Sequence, residues 1–244
     1  MSGQLYSSRN HIARLNTDGT LGATCDPGTG FDQRVESVAI QPDGKILACG
    51  FFTTFNGAPV GYIVRLTATG ALDPTFTTGT GFNNGMLQLA LQPDGKMLVA
   101  GSATDFNGSA IGRFARLNSN GTLDATFHVG GGGFNSTGTS SVALQSDGKI
   151  LVGGAFDQYN GISRTHFARL NYDGSLDMAY APAVNDGTYS IVLQPDGKAL
   201  IGGWFTDING LTRIGVARLL TTGAVDLTFN AGSTVLGGVS GVAL

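Results

Sequence analysis

The chain has 244 residues, of which 41% are hydrophobic and only 13% charged, with 39 glycines and a formal net charge of −3. This is enough apolar material for one large core or two small ones, and a glycine excess without a collagen period points to many short strands and tight turns. The weak negative charge excludes the clustered Lys and Arg surface that nucleic acid or anionic membrane requires, and no run of 18 apolar residues marks a membrane span.

The chain opens on MSGQLYSSRN, which lacks an apolar signal-peptide core. SRNHIARLNTDGTLG (8–22) follows and reads as two strands around a turn. QPDGK then occurs at 41–45, 92–96 and 194–198, and QSDGK at 145–149. An Arg-Leu pair recurs at 14–15, 65–66, 116–117, 169–170 and 218–219. The two landmarks move together, so the chain is a tandem repeat of four full copies preceded by a leading half-copy. VSGVAL (239–244) matches the start of a further copy.

Residues 141–184 serve to divide one copy. Strands are expected at Ser141–Gln145, Lys149–Phe156, about Thr165–Asn171 and about Ser175–Tyr180. Turns fall at SDG, at a longer loop containing Asn160-Gly161, and at YDG. In x-Asp-Gly the Gly takes the left-handed position of a three-residue hairpin loop. That sets Gln145 opposite Lys149, Leu144 opposite Ile150, Ala143 opposite Leu151 and Val142 opposite Val152. Both faces are apolar, one with smaller residues, so the hairpin is covered on both sides. The same counting opposes Arg65 to Asp73, Arg116 to Asp124, Arg169 to Asp177 and Arg218 to Asp226. These read as structural ion pairs. The leading half-copy has Gly22 at the Asp position.

Four antiparallel strands in about 50 residues, repeated and covered on both faces, fit a β-propeller blade. The expected fold is all-β: one five-bladed propeller over 1–244. Four blades fall at approximately 36–81, 87–133, 140–184 and 188–233. The closing blade combines 1–27 with 238–244, with 3–7 as a short second strand.

QPDGKILACGFFTTFNG (41–57), QPDGKALIGGWFTDING (194–210), RFARLNSNGTLDATF (113–127) and FARLNYDGSLD (167–177) carry a family resemblance. Together they resemble the delta-60 repeat, a bacterial β-propeller-type tandem repeat, over nearly the whole chain. The resemblance implies bacterial origin and a surface or secreted protein, and brings no catalytic residues. Extracellular or cell-surface localisation is therefore expected.

No reactive set repeats. Cys25 and Cys49 occupy core-type positions and read as buried thiols. His11 and His166 fall at equivalent strand positions without a metal-ligand cluster. His128 lies in HVGGGGFN, a glycine run lacking the helix and Lys-Ser/Thr of a phosphate loop. NYDGSLD (171–177) faintly resembles a calcium loop but fits a hairpin turn. No cofactor or metal is expected, and no catalytic residue is selected. The candidate binding positions lie instead in the Asn-Gly loops: Phe55 and Asn56, Phe106 and Asn107, Tyr159 and Asn160, and Asn209. Aromatic rings beside amides in equivalent loops suit sugars; the competing reading is that each aromatic plugs a blade edge and Asn-Gly is merely the turn. Trp204 stands at a position of variable residue type and reads as a possible partner anchor. The expected function is a non-catalytic binding or scaffold module for a protein or glycan. The alternatives are a multivalent lectin at the Asn-Gly loops and an enzyme at the central channel.

Overall fold

The computed structural model describes residues 10–127, 132–135, 138–232 and 237–244, and these contain strands and no helix. The proposed second strand at 3–7 and His128 lie outside the described residues. Each full copy forms one three-stranded antiparallel sheet with its second strand in the centre. In the first copy the strands are Val35–Ile40, Ile46–Gly50 and Ile63–Leu66. The second copy has Met86–Leu91, Met97–Gly101 and Phe114–Leu117. Thr139–Leu144, Ile150–Gly154 and Phe167–Leu170 form the third. Thr188–Leu193, Ala199–Gly203 and Val216–Leu219 form the fourth.

The register deduced from x-Asp-Gly is observed. Val142 pairs with Val152, Ala143 with Leu151 and Leu144 with Ile150. Gln145 N–H donates to the Lys149 carbonyl at 2.8 Å. A glycine closes every second strand: Gly50, Gly101, Gly154 and Gly203. A Cβ at Gly203 would fall 2.1 Å from the Gly187 carbonyl, so the close approach of the first strand, which bulges here, requires glycine.

The four-stranded blade expected from the sequence is corrected to three strands and a bridge. The fourth strand is a single bridge, such as Leu66 with Leu72 and Leu170 with Leu176. The cause is local. Asp73 Oδ1 accepts the Thr75 N–H and hydroxyl, turning the chain immediately after the bridge. Asp124 with Thr126 and Asp226 with Thr228 do the same. The Asn-Gly loop, conversely, is more ordered than expected. It is a hairpin of two two-residue strands, Thr54–Phe55 with Ala58–Pro59 in the first copy. His11 and His166, expected in strands, sit instead at left-handed positions before the third strand, with φ of 65° and 60°. Tyr62 and Arg113 share that position.

The first strands of consecutive copies lie side by side. The small-residue face of each copy meets the large-residue face of the next. Ser37 Oγ accepts Leu89 N–H, Gln88 Oε1 accepts Val142 N–H, and Ser190 Oγ accepts Val242 N–H. The last bond shows that 239–244 packs on the fourth copy as a first strand would. Val239 N–H adds a bond to the Gly203 carbonyl at 2.9 Å.

The closing blade shared by both ends is not formed: no sheet joins them among the described residues. The first copy records the consequence. Val38 and Ile40 are 48% and 69% exposed, whereas Leu89, Val142 and Ile191, equivalent to Val38, are 6%, 4% and 7% exposed. An apolar cavity of about 650 Å³ opens there, between Ile12, Leu15 and Cys25 of the half-copy and Val38, Ile40 and Leu66.

Deleting 239–244 removes two hydrogen bonds, from Val239 N–H to the Gly203 carbonyl and from Val242 N–H to the Ser190 hydroxyl, and the partial burial of two valines, about 1–2 kcal/mol. At roughly 2–4 °C per kcal/mol for a chain of this size, Tm is expected to fall by several degrees. Calorimetry of the shortened chain checks this; unchanged melting would mean that the segment adds nothing to the fold.

Candidate functional site

The Arg–Asp pairs form as counted, with Arg65–Asp73 and Arg116–Asp124 at 2.7 Å, Arg169–Asp177 at 2.8 Å and Arg218–Asp226 at 2.9 Å. Sequence counting missed a third member. The Lys of each x-Asp-Gly-Lys hairpin reaches the same carboxylate oxygen: Lys45 at 3.0 Å, Lys96 at 2.8 Å, Lys149 at 2.7 Å and Lys198 at 3.4 Å. The signal was present, because Lys precedes Asp by 28 residues in every copy. Arg65, Arg116 and Arg169 also donate from Nη1 to a turn carbonyl of the following copy, at Ser119, Tyr172 and Thr221. Each guanidinium lies over an aromatic ring: Phe76, Phe127, Tyr180 or Phe229.

Burial works to raise the Asp73 and Asp124 pKa. Hydrogen bonds from Thr75, Lys45 and Arg65, and from Lys96, Thr126 and Arg116, outweigh it and hold both carboxyls well below the usual range. Asp177 is lowered likewise, against its own burial, by Lys149 and Arg169. Asp226 is lowered chiefly by the Thr228 hydroxyl. These carboxylates are ionised at neutral pH and doubly paired. They hold the sheets together and are unsuited to exchanging protons near neutral pH.

The Asn-Gly positions also prove structural. Phe55 and Phe106 are 1% exposed and Tyr159 is fully buried. Phe31, Phe82 and Phe134 of the inter-copy connections pack against them. Tyr159 donates its hydroxyl to the Gly174 carbonyl at 2.6 Å. This burial removes the open ring face that sugar stacking needs. The asparagines occupy left-handed positions with φ of 50–56°, followed by a left-handed glycine, as a type I′ turn demands. Their side chains tie the turn to the preceding connection. Asn56 Oδ1 accepts Gly30 N–H, Asn107 Oδ1 accepts Gly81 N–H, Asn160 Oδ1 accepts Gly133 N–H, and Asn209 Oδ1 accepts Ala183 N–H.

Trp204 is 62% exposed. Its ring meets Tyr189 edge-on, with centroids 5.8 Å apart, and leans on Gly238. Both cysteines are buried and free, and burial pushes the Cys49 thiol up. In NYDGSLD, Asp173 accepts the Ser175 N–H and hydroxyl, which makes the segment a hairpin turn. Among the described residues, no three His, Cys, Asp or Glu are placed to hold a metal ion.

The opposite end of the sheets offers open space. The x-Asp-Gly turns and the second-hairpin turns share that end, and two clefts lie between copies there, of about 380 and 620 Å³. Gln92 and Tyr172 line the smaller, Gln145 and Thr221 the larger.

Repeated all-β units with these inter-copy bonds define a tandem-repeat protein whose copies pack sheet to sheet. The chain belongs to the β-propeller family described as a domain of unknown function (DUF5122), which matches residues 3–24, 41–76, 92–127, 145–180 and 194–229. No curated protein matches the sequence. Among solved structures, a protein of unknown function from Bacteroides caccae is similar at 16% identity. That match covers 87% of this chain and 72% of the other, with a TM-score of 0.43. A virginiamycin B lyase from Staphylococcus aureus is 13% identical with a TM-score of 0.44; the match covers 83% of this chain and 57% of the lyase. A gluconolactonase from Xanthomonas campestris is 15% identical, with coverages of 86% and 65% and a TM-score of 0.47.

Two predictions follow from the paired groups. Asp124→Ala strands Arg116, which is 2% exposed, and is expected to cost about 3–5 kcal/mol in denaturant unfolding. Because the folded carboxyls titrate below the unfolded value near 3.9, their stabilisation is complete above about pH 4 and is lost as pH falls further. Tm should therefore hold from pH 7 to 5 and drop below 4, less steeply in Asp124→Ala. Asn107→Ala is expected to cost about 1–2 kcal/mol through strain and lost hydrogen bonds. Asn107→Gly, which tolerates φ of 51°, should recover part of it.

Proposed function

We propose that the chain is a non-catalytic β-propeller module that binds or scaffolds a protein or glycan partner at a bacterial cell surface. It is a repeat of the delta-60 type, with the leading half-copy as a fifth, incomplete blade beside the four full copies. One observation carries the functional reading. The second-hairpin carboxylates of the four full copies, Asp73, Asp124, Asp177 and Asp226, are each held by an Arg and a Lys. The repeated Arg–Asp–Lys chemistry is thus spent on joining sheets. What the repeat presents outward is turns, clefts and single exposed side chains such as Trp204 and Tyr172, which suits recognition.

The test pairs a binding assay with an activity assay. Purified protein is applied to glycan and peptide arrays and, separately, incubated with lactone and ester substrates. Saturable retention without turnover above buffer is expected. Saturable turnover abolished by replacing one carboxylate would overturn the reading in favour of an enzyme.

A further inference from the structure

The turn end of the sheets carries polar atoms that packing leaves unanswered. Gln41, Gln92, Gln145 and Gln194 each follow directly on a first strand, and in all four the amide oxygen is buried without a hydrogen-bond partner. Gln92 is the extreme case: the residue is 2% exposed, and both Oε1 and Nε2 lack partners. Desolvating an amide that makes no bond is unfavourable, and an apolar side chain of similar length would avoid the loss.

The direction of Gln92 follows from strand alternation. Gln88 Oε1 accepts Val142 N–H of the third copy, so Gln92, four residues on, faces the third copy too. The smaller cleft lies there, walled by Pro93, Leu144 and Tyr172, with Asp94 and Ser146 at its mouth. The larger cleft repeats the plan one copy on. Gln145 stands for Gln92, Asp147 for Asp94, Leu193 for Leu144 and Thr221 for Tyr172. The clefts meet at Leu144, Gln145 and Ser146. Ser146 replaces the proline found at 42, 93 and 195, so the one QSDGK copy borders both.

The unpartnered atoms select the chemistry of an occupant. A cation answers Oε1 but is repelled by the Nε2 hydrogens, and an anion does the reverse. A hydroxyl donates and accepts, and two adjacent hydroxyls meet both ends of one amide. Asp94, Asp147 and Asp196 at the mouths accept only. Asp94 Oδ2 already accepts the Tyr172 hydroxyl at 2.6 Å, and the remaining carboxylate lone pairs accept the protons of sugar hydroxyls. Pro93, Leu144 and Tyr172 supply an apolar wall for ring C–H groups. We infer that the paired clefts bind a neutral oligosaccharide, with Gln92 engaging two adjacent hydroxyls and Gln145 Oε1 accepting from a further one. The inference deepens the binding-module reading and rests on it.

The experiment uses the full chain, a neutral-glycan array, and titration with maltose, cellobiose, mannobiose and diacetylchitobiose, followed by side-chain amide resonances. The Gln92 pair is identified by its disappearance in Gln92→Met. A saccharide should shift that pair saturably, and Gln92→Met and Ser146→Pro should each weaken binding at least tenfold. Tm of Gln92→Met should be unchanged or raised. A lowered Tm with the saccharide response intact would assign the amide to sheet packing and overturn the site. Saccharide binding that survives both substitutions would also overturn it while leaving the module reading in place. A response confined to peptides, or no response across the array, overturns the saccharide. Turnover of a disaccharide would overturn the module reading itself.

Discussion

A carboxylate wedged between two cations is the constraint on which the molecule depends. Asp124 shows it in full. Arg116 and Lys96 converge on one oxygen, Thr126 satisfies the other, and Arg116 continues to the Tyr172 carbonyl of the next copy. A buried ion pair is weak evidence for stability when judged against an apolar replacement. Here its geometry does something an apolar contact does not. It fixes the turn after the third strand, the turn after the first, and the neighbouring copy in one set of directional bonds. Aromatic rings over the guanidinium exclude water from the cluster.

That cluster leaves its mark on the surroundings. Because Asp73 and its counterparts bend the chain by accepting the N–H two residues on, the fourth strand stops at a single bridge and the sheet stays three strands wide. The central strand, covered by partners on both edges and by sheets on both faces, is apolar throughout: Ile46–Gly50, Met97–Gly101 and Ile150–Gly154 are entirely buried. Small faces then meet large faces, and the first strands of consecutive copies draw together.

How much of this could be read from residues differs by feature. The hairpin registers were legible because x-Asp-Gly fixes loop length, and a fixed loop dictates every pair behind it. The Arg–Asp pairs followed from the same rule. Three features were harder. The two-residue strands around Asn-Gly are too short for a period, though the turn itself was visible. The Asp-x-Thr turn that truncates the fourth strand competes with an apolar pattern that favours continuing it. The left-handed residue before the third strand is His11, Tyr62, Arg113 or His166, and nothing in these side chains announces positive φ. The burial of the candidate aromatic rings was hidden for a related reason. An aromatic beside Asn-Gly looks the same whether its ring faces solvent or plugs the sheet edge, and only the connections at Phe31, Phe82 and Phe134 decide it. The buried amides of Gln92 and its counterparts were visible as a motif, but their lack of partners depends on packing between copies.

The forward reach of the arginines has a mechanical consequence. Arg65, Arg116 and Arg169 each grip the copy that follows, while the leading half-copy offers Gly22 where the gripping carboxylate would stand. Cohesion is thus graded, firm between full copies and slack between the half-copy and the first copy. A pulling force would part the half-copy from the first copy before it separated one full copy from the next, as a zipper with one loose tab.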